Sequence, residues 1–268
     1  MIFYAPAKLN IGLQITGKRA DGFHNIETLF YPIPLYDEIK IEPSKTFSLQ
    51  LDGLPIEGKT EDNTVFRAYQ LIQSHHPFGP LKIRLTKHIP PGSGLGGPSS
   101  DAATFLNAAN QLYNLKLNNK QLSQIALSIG SDCPFFLDPK PAYARARGEI
   151  TEKMPPFLEG LYAVVISPQI LLSTKWAYQQ IKYRKSQFYL KNIEEIPHSK
   201  WMQYIRNDFE SVVFDSYPET KAIQQALLQA GAFYSALSGS GSSLFGLFKH
   251  KPCLDNPLRG YRHWIFQL

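Results

Sequence analysis

Leu9, Ile11, Leu13 and Ile15 alternate with Asn10, Gly12, Gln14 and Thr16. A period of two is what a strand needs to turn one apolar face inward. The pattern predicts a half-buried strand with Lys8, Asn10 and Gln14 on its polar face. Apolar segments at 26–33, 39–41 and 47–51 predict further strands, and Leu81, Ile83 and Leu85 alternate again. Asn63 stands before Val65, Ala68, Tyr69, Leu71 and Ile72, a capped helical face. Ala102, Phe105, Leu106 and Ala109 predict a second helix, and Leu122, Ile125, Ala126 and Ile129 a third, closed by Gly130 at C′. The turn-rich SDCPFFLDPKP follows.

The pattern breaks at MPPFLEG, residues 154–160, which predicts two domains, 1–155 and 156–268. In the second, 161–167 reads as a buried strand, and Ser173 caps a helix running to about residue 183. Residues 184–204 are polar and take no assignment. Pro218 at N1 and Gly231 at C′ bracket another helix. Residues 234–237 and 244–248 read as two strands around GSGSS, and 261–266 as a last strand. Strands and helices mix without strict alternation, so the fold class is α+β.

Composition narrows the function classes. A chain 43% hydrophobic and 19% charged forms a packed core, which excludes disorder. The apolar runs are too short to cross a bilayer, and MIFYAPAKLN lacks the basic-then-apolar order of a secretory signal. Cytoplasmic residence without a membrane partner is the expectation. Cys133 and Cys253 provide neither a disulfide framework nor a CxxC site, and no HExxH spacing occurs, which argues against a zinc enzyme. The net charge of +6 favours anionic partners, but no Lys/Arg block reads as a nucleic-acid tail.

The strongest chemical signal is PPGSGLGGPSSDAA at 90–103. Glycines let backbone N–H groups converge on one point, and the helix start behind them adds unpaired donors and partial positive charge. That is a phosphate cradle. The GxxxxGK[ST] loop is excluded, because Pro98 follows Gly97 where Lys is required. The dinucleotide fingerprint is also excluded: no Asp or Glu lies between Asp101 and Asp132. Protein-kinase signatures are absent.

The run resembles the phosphate-binding motif of the GHMP kinases. APAKLNIGLQI at 5–15 and LSGSGSSLFGLF at 237–248 are similar to that family's N-terminal and C-terminal motifs, in the family's order. Within it, KRADGFHNIETLFYPIPLYDEI at 18–39 and IGSDCPFFL at 129–137 are similar to a member that phosphorylates a tertiary hydroxyl of a cytidine diphosphate-linked polyol. The resemblance implies an N-terminal half like ribosomal protein S5 domain 2, holding ATP and the catalytic residues. It implies a ferredoxin-like, substrate-side C-terminal half.

It also implies roles. Asp132 takes the proton of the acceptor hydroxyl; the alternative is an Asx turn. Lys8 is the cation beside it, and Asn10, facing the same way along the strand, bonds substrate. Pro91, Gly92, Ser93, Gly94, Leu95, Gly96, Gly97, Ser99 and Ser100 hold ATP. Ser99 or Ser100 either contacts Mg²⁺ or caps the helix. No side-chain cage for the metal is expected. His24 contacts the cytosine, and Phe23 stands where the family has Tyr, keeping a π-face but no hydroxyl. Tyr178 is either a second stacking wall or helix packing. Gly239, Ser240 and Gly241 approach substrate phosphate or brace the loop. Asp101 is read as favourable dipole placement, Cys133 as a buried filler. Pro98 departs from the family's third consecutive Gly and suits N1 of the helix. PKPAYARARGE at 139–149 departs from a more Gly-rich form.

The leading reading is an ATP- and Mg²⁺-dependent small-molecule kinase, a monomer or weak homodimer. A homoserine- or mevalonate-type kinase is the runner-up; an inactive nucleotide- or RNA-binding module is the third.

Overall fold

The computed structural model describes residues 1–181, 188–254 and 258–268. The chain forms two compact units, neither contiguous in sequence. The first comprises Met1–Ala7, Leu35–Pro91 and Gly96–Pro139; the second comprises Lys8–Pro34, Gly92–Leu95 and Lys140–Leu268.

Two long strands, β1 (Ile2–Lys18) and β2 (His24–Pro43), pair with each other and contribute to both units. The two apolar segments of 26–41 are thus one strand. Pro32 and Pro34 cannot donate to a ladder, yet they do not break it. They fall between Ile26–Phe30, paired to one later strand, and Glu38–Pro43, paired to another.

In the first unit follow β3 (Ser48–Gly53), α1 (Thr64–His75), β4 (Leu81–Lys87), α2 (Gly97–Leu112) and α3 (Asn119–Ile129). β4 runs antiparallel to β2 and parallel to β3. Asn63 caps α1 by accepting the Val65 N–H at 2.9 Å. α3 opens with a reciprocal Asn118–Gln121 capping box and ends at Gly130. Gly130 has φ −173°, extended rather than left-handed, so the stop is where the sequence places it but is not the C′ glycine device. The helices cover the sheet through Val65, Ala68, Ile72, Phe105, Leu106 and Leu122, against Ile39, Ile41, Ile83 and Leu85.

In the second unit follow β5 (Ala142–Ala146), β6 (Ile150–Lys153), β7 (Tyr162–Ser167), α4 (Thr174–Gln180), α5 (Trp201–Tyr204), α6 (Glu210–Ser216), α7 (Pro218–Gln229), β8 (Tyr234–Leu237), β9 (Leu244–Phe248) and β10 (Arg262–Gln267). β5 and β6 form a hairpin on β2 that the pattern of polar and turn residues hid. An antiparallel sheet runs β10–β7–β9–β8. Ser173 caps α4 as predicted, but the helix stops at Gln180; residue 183 lies outside the described residues. α7 begins at Pro218 and closes in a Schellman arrangement, with Gly231 at φ +99° and the Ala232 N–H reaching the Leu227 carbonyl at 3.1 Å.

Candidate active site

The segment after β4 turns through left-handed backbone at Gly92 (φ +65°), Gly94 (φ +76°) and Gly96 (φ +78°) before α2 begins. Alternating left-handed residues let successive N–H groups point inward, and α2 adds its own unpaired donors. Gly94 has a second reason to be glycine: a Cβ there would stand 1.9 Å from the Ser238 carbonyl oxygen. The helix cap is Gly96, with no side-chain bond, so neither Ser99 nor Ser100 caps it. Pro98 is the second residue of α2 rather than the first, and its missing N–H is one the helix does not bond internally. Its carbonyl accepts the Thr64 hydroxyl at 2.6 Å.

In the second unit residues 92–95 are stitched to the β8–β9 turn. The Ser238 hydroxyl donates to the Gly94 carbonyl and the Ser243 N–H to the Ser93 carbonyl, each at 3.0 Å. The Lys8 N–H holds the Leu95 carbonyl at 2.9 Å. Of the two roles read for Gly239, Ser240 and Gly241, bracing is the one this geometry displays. A Cβ on Gly239 would meet Asn10 Oδ1 and the Gly94 carbonyl at 3.2 Å, and the Ser240 hydroxyl bonds Thr174 at 3.0 Å. Asn207, which the sequence reading missed, donates to the carbonyls of Leu237 and Gly239 at 2.8 and 2.7 Å.

Lys8 and Asn10 are not on a solvated face. β1 is buried on both sides from Ala7 to Ile15, which corrects the half-buried reading. The Lys8 ammonium donates to Asn10 Oδ1 and lies 4.8 Å from the Phe30 ring centroid. Asn10 in turn donates to Thr28 at 3.0 Å. A buried polar row of this kind is fixed in orientation, because each group is spent on its neighbour.

Asp132 sits in the turn after α3, in the first unit, partly buried. Ser99 faces that turn. It bonds the Cys133 thiol, and its Oγ would lie 3.7 Å from a Cβ on Gly130. Within this unit, therefore, the N-terminal end of α2 and the Asp132 turn adjoin. Cys133 is a buried filler as read, its thiol pushed up to about 11 chiefly by burial. Asp101 is not a surface charge on a helix dipole. It is buried and paired with Lys87, as is Asp37.

The 23–24 segment carries an exposed Phe23 ring with the Arg147 guanidinium 4.9 Å from its centroid. His24 stacks on Tyr178 at 5.0 Å and 16°. That is the separation of a single stack, leaving no space for a third ring between them. Tyr178 also meets Phe209 edge-on at 4.9 Å, so it packs as part of the core below α4. Burial, with Lys18 nearby, holds His24 below its ordinary pKa, so at neutral pH the imidazole offers one donor and one acceptor. Ala146, in the segment that departs from a Gly-rich form, is itself left-handed at φ +62°.

Among the described residues no cluster of three or more His, Cys, Asp or Glu side chains could hold a metal, and no helix is long and apolar enough to cross a membrane. The Ser100 hydroxyl is buried without a hydrogen-bond partner.

The GHMP kinases N terminal domain matches residues 63–138, and the GHMP kinases C terminal domain matches 189–255. The chain belongs to the GHMP kinases. It is 43% identical over 259 residues to the 4-diphosphocytidyl-2-C-methyl-D-erythritol kinase of Porphyromonas gingivalis, covering 95% of this chain and 94% of that protein. The crystal structure of a 4-(cytidine 5′-diphospho)-2C-methyl-D-erythritol kinase superposes with a TM-score of 0.79 at 30% identity, over 99% of this chain and 98% of that one. Homoserine kinase from Cytophaga hutchinsonii shares the fold, with a TM-score of 0.69 over 99% of this chain and 93% of that one, at only 19% identity. The chain is thus an ATP-dependent small-molecule kinase of the α+β GHMP fold.

Proposed function

We propose that the protein transfers the γ-phosphoryl group of ATP to the tertiary 2-hydroxyl of 4-diphosphocytidyl-2-C-methyl-D-erythritol, a step of isoprenoid synthesis. The full-length likeness to the Porphyromonas gingivalis kinase carries this reading. The homoserine-type reading has only a shared fold behind it.

The chemistry follows from the residues. The backbone N–H groups of 92–97 and the start of α2 bind the ATP phosphates and take up charge as the γ-phosphoryl group separates. Asp132 accepts the proton of the attacking hydroxyl; the new O–P bond forms as the bond to the ADP oxygen breaks. Lys8, whose ammonium donates to Asn10, supplies positive charge to the transferring group. Bound Mg²⁺ would supply positive charge against the nucleotide's phosphates. The unpartnered Ser100 hydroxyl and Ser99 are the residues that would contact it.

Cytosine stacks on the exposed Phe23 ring and reads the His24 ring nitrogens, with Tyr178 backing the imidazole from the core side. Functionally, residues 1–155 carry ATP binding and catalysis and 156–268 complete the substrate side; the two family matches fall on either side of that boundary. Cytoplasmic residence suits the unpaired cysteines, one of them exposed. A monomer or weak homodimer completes the proposal. The test is ATP turnover by the purified protein with the cytidyl polyol, homoserine and mevalonate as separate acceptors. Phosphorylation of the first alone is expected; turnover with either of the others, or with none, rejects the reading.

A further inference from the structure

The ammonium of Lys87, the last residue of β4, is buried between two carboxylates, Asp37 on β2 and Asp101 on α2. The other oxygen of Asp37, Oδ1, accepts the backbone N–H groups of His88 and Ile89 at 2.5 and 2.8 Å. Asp37 therefore grips the chain as it enters the glycine loop, and Lys87 passes that grip to the helix on which the loop ends. The two flanks also touch: a Cβ on Gly97 would meet Ile89 at 3.0 Å and the Lys87 ammonium at 3.3 Å. At 0–3% side-chain exposure the three charged groups are sealed from solvent.

We propose that Lys87, Asp37 and Asp101 are positioning residues that clamp the entry and exit of the glycine loop, setting the loop's shape for ATP without touching it. The charges of the clamp support this. Asp37 receives two backbone donors and the ammonium. Asp101 receives the ammonium on one oxygen, and its other oxygen has no partner. Burial and the neighbouring Asp37 push its carboxyl up to about 7 against the pull of Lys87. A carboxyl raised this far is partly protonated at neutral pH, so its bond to Lys87 does not depend on a full negative charge. Its work is geometric, and an isosteric neutral amide can do it.

The inference rests on the kinase reading only for its ATP site, so the test separates the two by measuring ADP binding, which needs no acceptor. Calorimetric ADP affinity and KM for ATP are compared for wild type, Asp101→Asn, Asp101→Ala and Lys87→Met. Asp101→Ala and Lys87→Met are expected to weaken ADP and raise KM for ATP at least tenfold, with KM for the acceptor within twofold. Asp101→Asn is expected to keep ADP affinity within threefold. Should Lys87→Met fail to fold, the pair Asp101→Ala and Asp101→Asn still decides. Unchanged ADP affinity in Asp101→Ala overturns the clamp. So does equal loss in Asp101→Asn and Asp101→Ala, and so does parallel change in both substrates' KM with a lowered melting temperature. A wild type that binds ADP but ignores the cytidyl polyol rejects the substrate assignment alone.

Discussion

Gly92 and Gly94 are two residues apart, both left-handed, and respond differently to the same methyl group. At Gly92 a Cβ meets only Leu171 Cδ2 at 3.5 Å, an ordinary contact. Gly92→Ala then carries only the left-handed penalty of an L-residue, about 1–2 kcal/mol. At Gly94 the same penalty applies, and the Cβ would also lie 1.9 Å from the Ser238 carbonyl oxygen, a backbone atom that no rotamer change can remove. Loop and turn must separate by roughly 1.5 Å to restore contact distance, which breaks the bonds of Ser238 to Gly94 and of Ser243 to Ser93. At about 1 kcal/mol each, these bring the total to ~3–4 kcal/mol. If the displacement falls on the phosphate loop, kcat/KM for ATP drops about 10²–10³-fold in Gly94→Ala and about 5–30-fold in Gly92→Ala. Steady-state kinetics with ATP varied measures the ratio, and far-UV circular dichroism checks that both variants are folded. Equal losses would show that the β8–β9 turn does not hold the loop, and the bracing argument would fall.

Three further outcomes are expected. Asp132→Asn removes the proton acceptor while keeping its shape, and should lower kcat by about 10²–10⁴-fold in the turnover assay, whereas an Asx-turn role alone leaves kcat near wild type. Ala146→Gly relieves a left-handed alanine and should raise stability by about 1 kcal/mol, seen as a melting temperature higher by roughly 2–4 °C. Glu210 is buried, accepts the Leu237 N–H at 3.0 Å, and is pushed up to about 7, mainly by burial. A folded-state pKa above the unfolded value means the native protein holds the extra proton, so this group's contribution is full below about pH 4.5 and is lost as pH rises through about 7. Glu210→Gln keeps the acceptor and removes the titration, so denaturant melts should show a flatter stability profile across that window.

What was legible in the sequence is what neighbours in the chain decide. Asn63, Ser173, Pro218 and Gly231 mark helix ends because a cap is satisfied within three residues. The glycine run declares its backbone because only glycine takes those dihedrals cheaply. What stayed hidden depends on partners far away in sequence. Lys8 and Asn10 looked solvated because alternation reports one covered face, whereas β1 is covered on both. The segments 26–33 and 39–41 looked like two strands because the places where β2 needs its donors cannot be known before its neighbours are. The β5–β6 hairpin was masked by Ala146, an alanine doing a turn glycine's work.

The hidden polar residues have one feature in common. Asp37, Lys87, Asp101 and Asn207 are all buried, and in sequence each looks like an ordinary surface group of a strand, helix or loop. Each is bound to the flanks of the glycine loop or to the turn that braces it: Asp37 to the amides of 88 and 89, Lys87 to Asp101, and Asn207 to the carbonyls of 237 and 239. Glycines allow a phosphate cradle but do not hold one, because the freedom that admits the left-handed turns admits many others. A loop with so little intrinsic preference must take its shape from outside. Buried charge-assisted and amide hydrogen bonds are suited to that, since each is costly to leave unmade and directional in a way that apolar contact is not. The cradle is therefore written twice in this chain: locally, in glycines that can be read at sight, and remotely, in buried polar residues that become readable only once the fold has brought them to the loop.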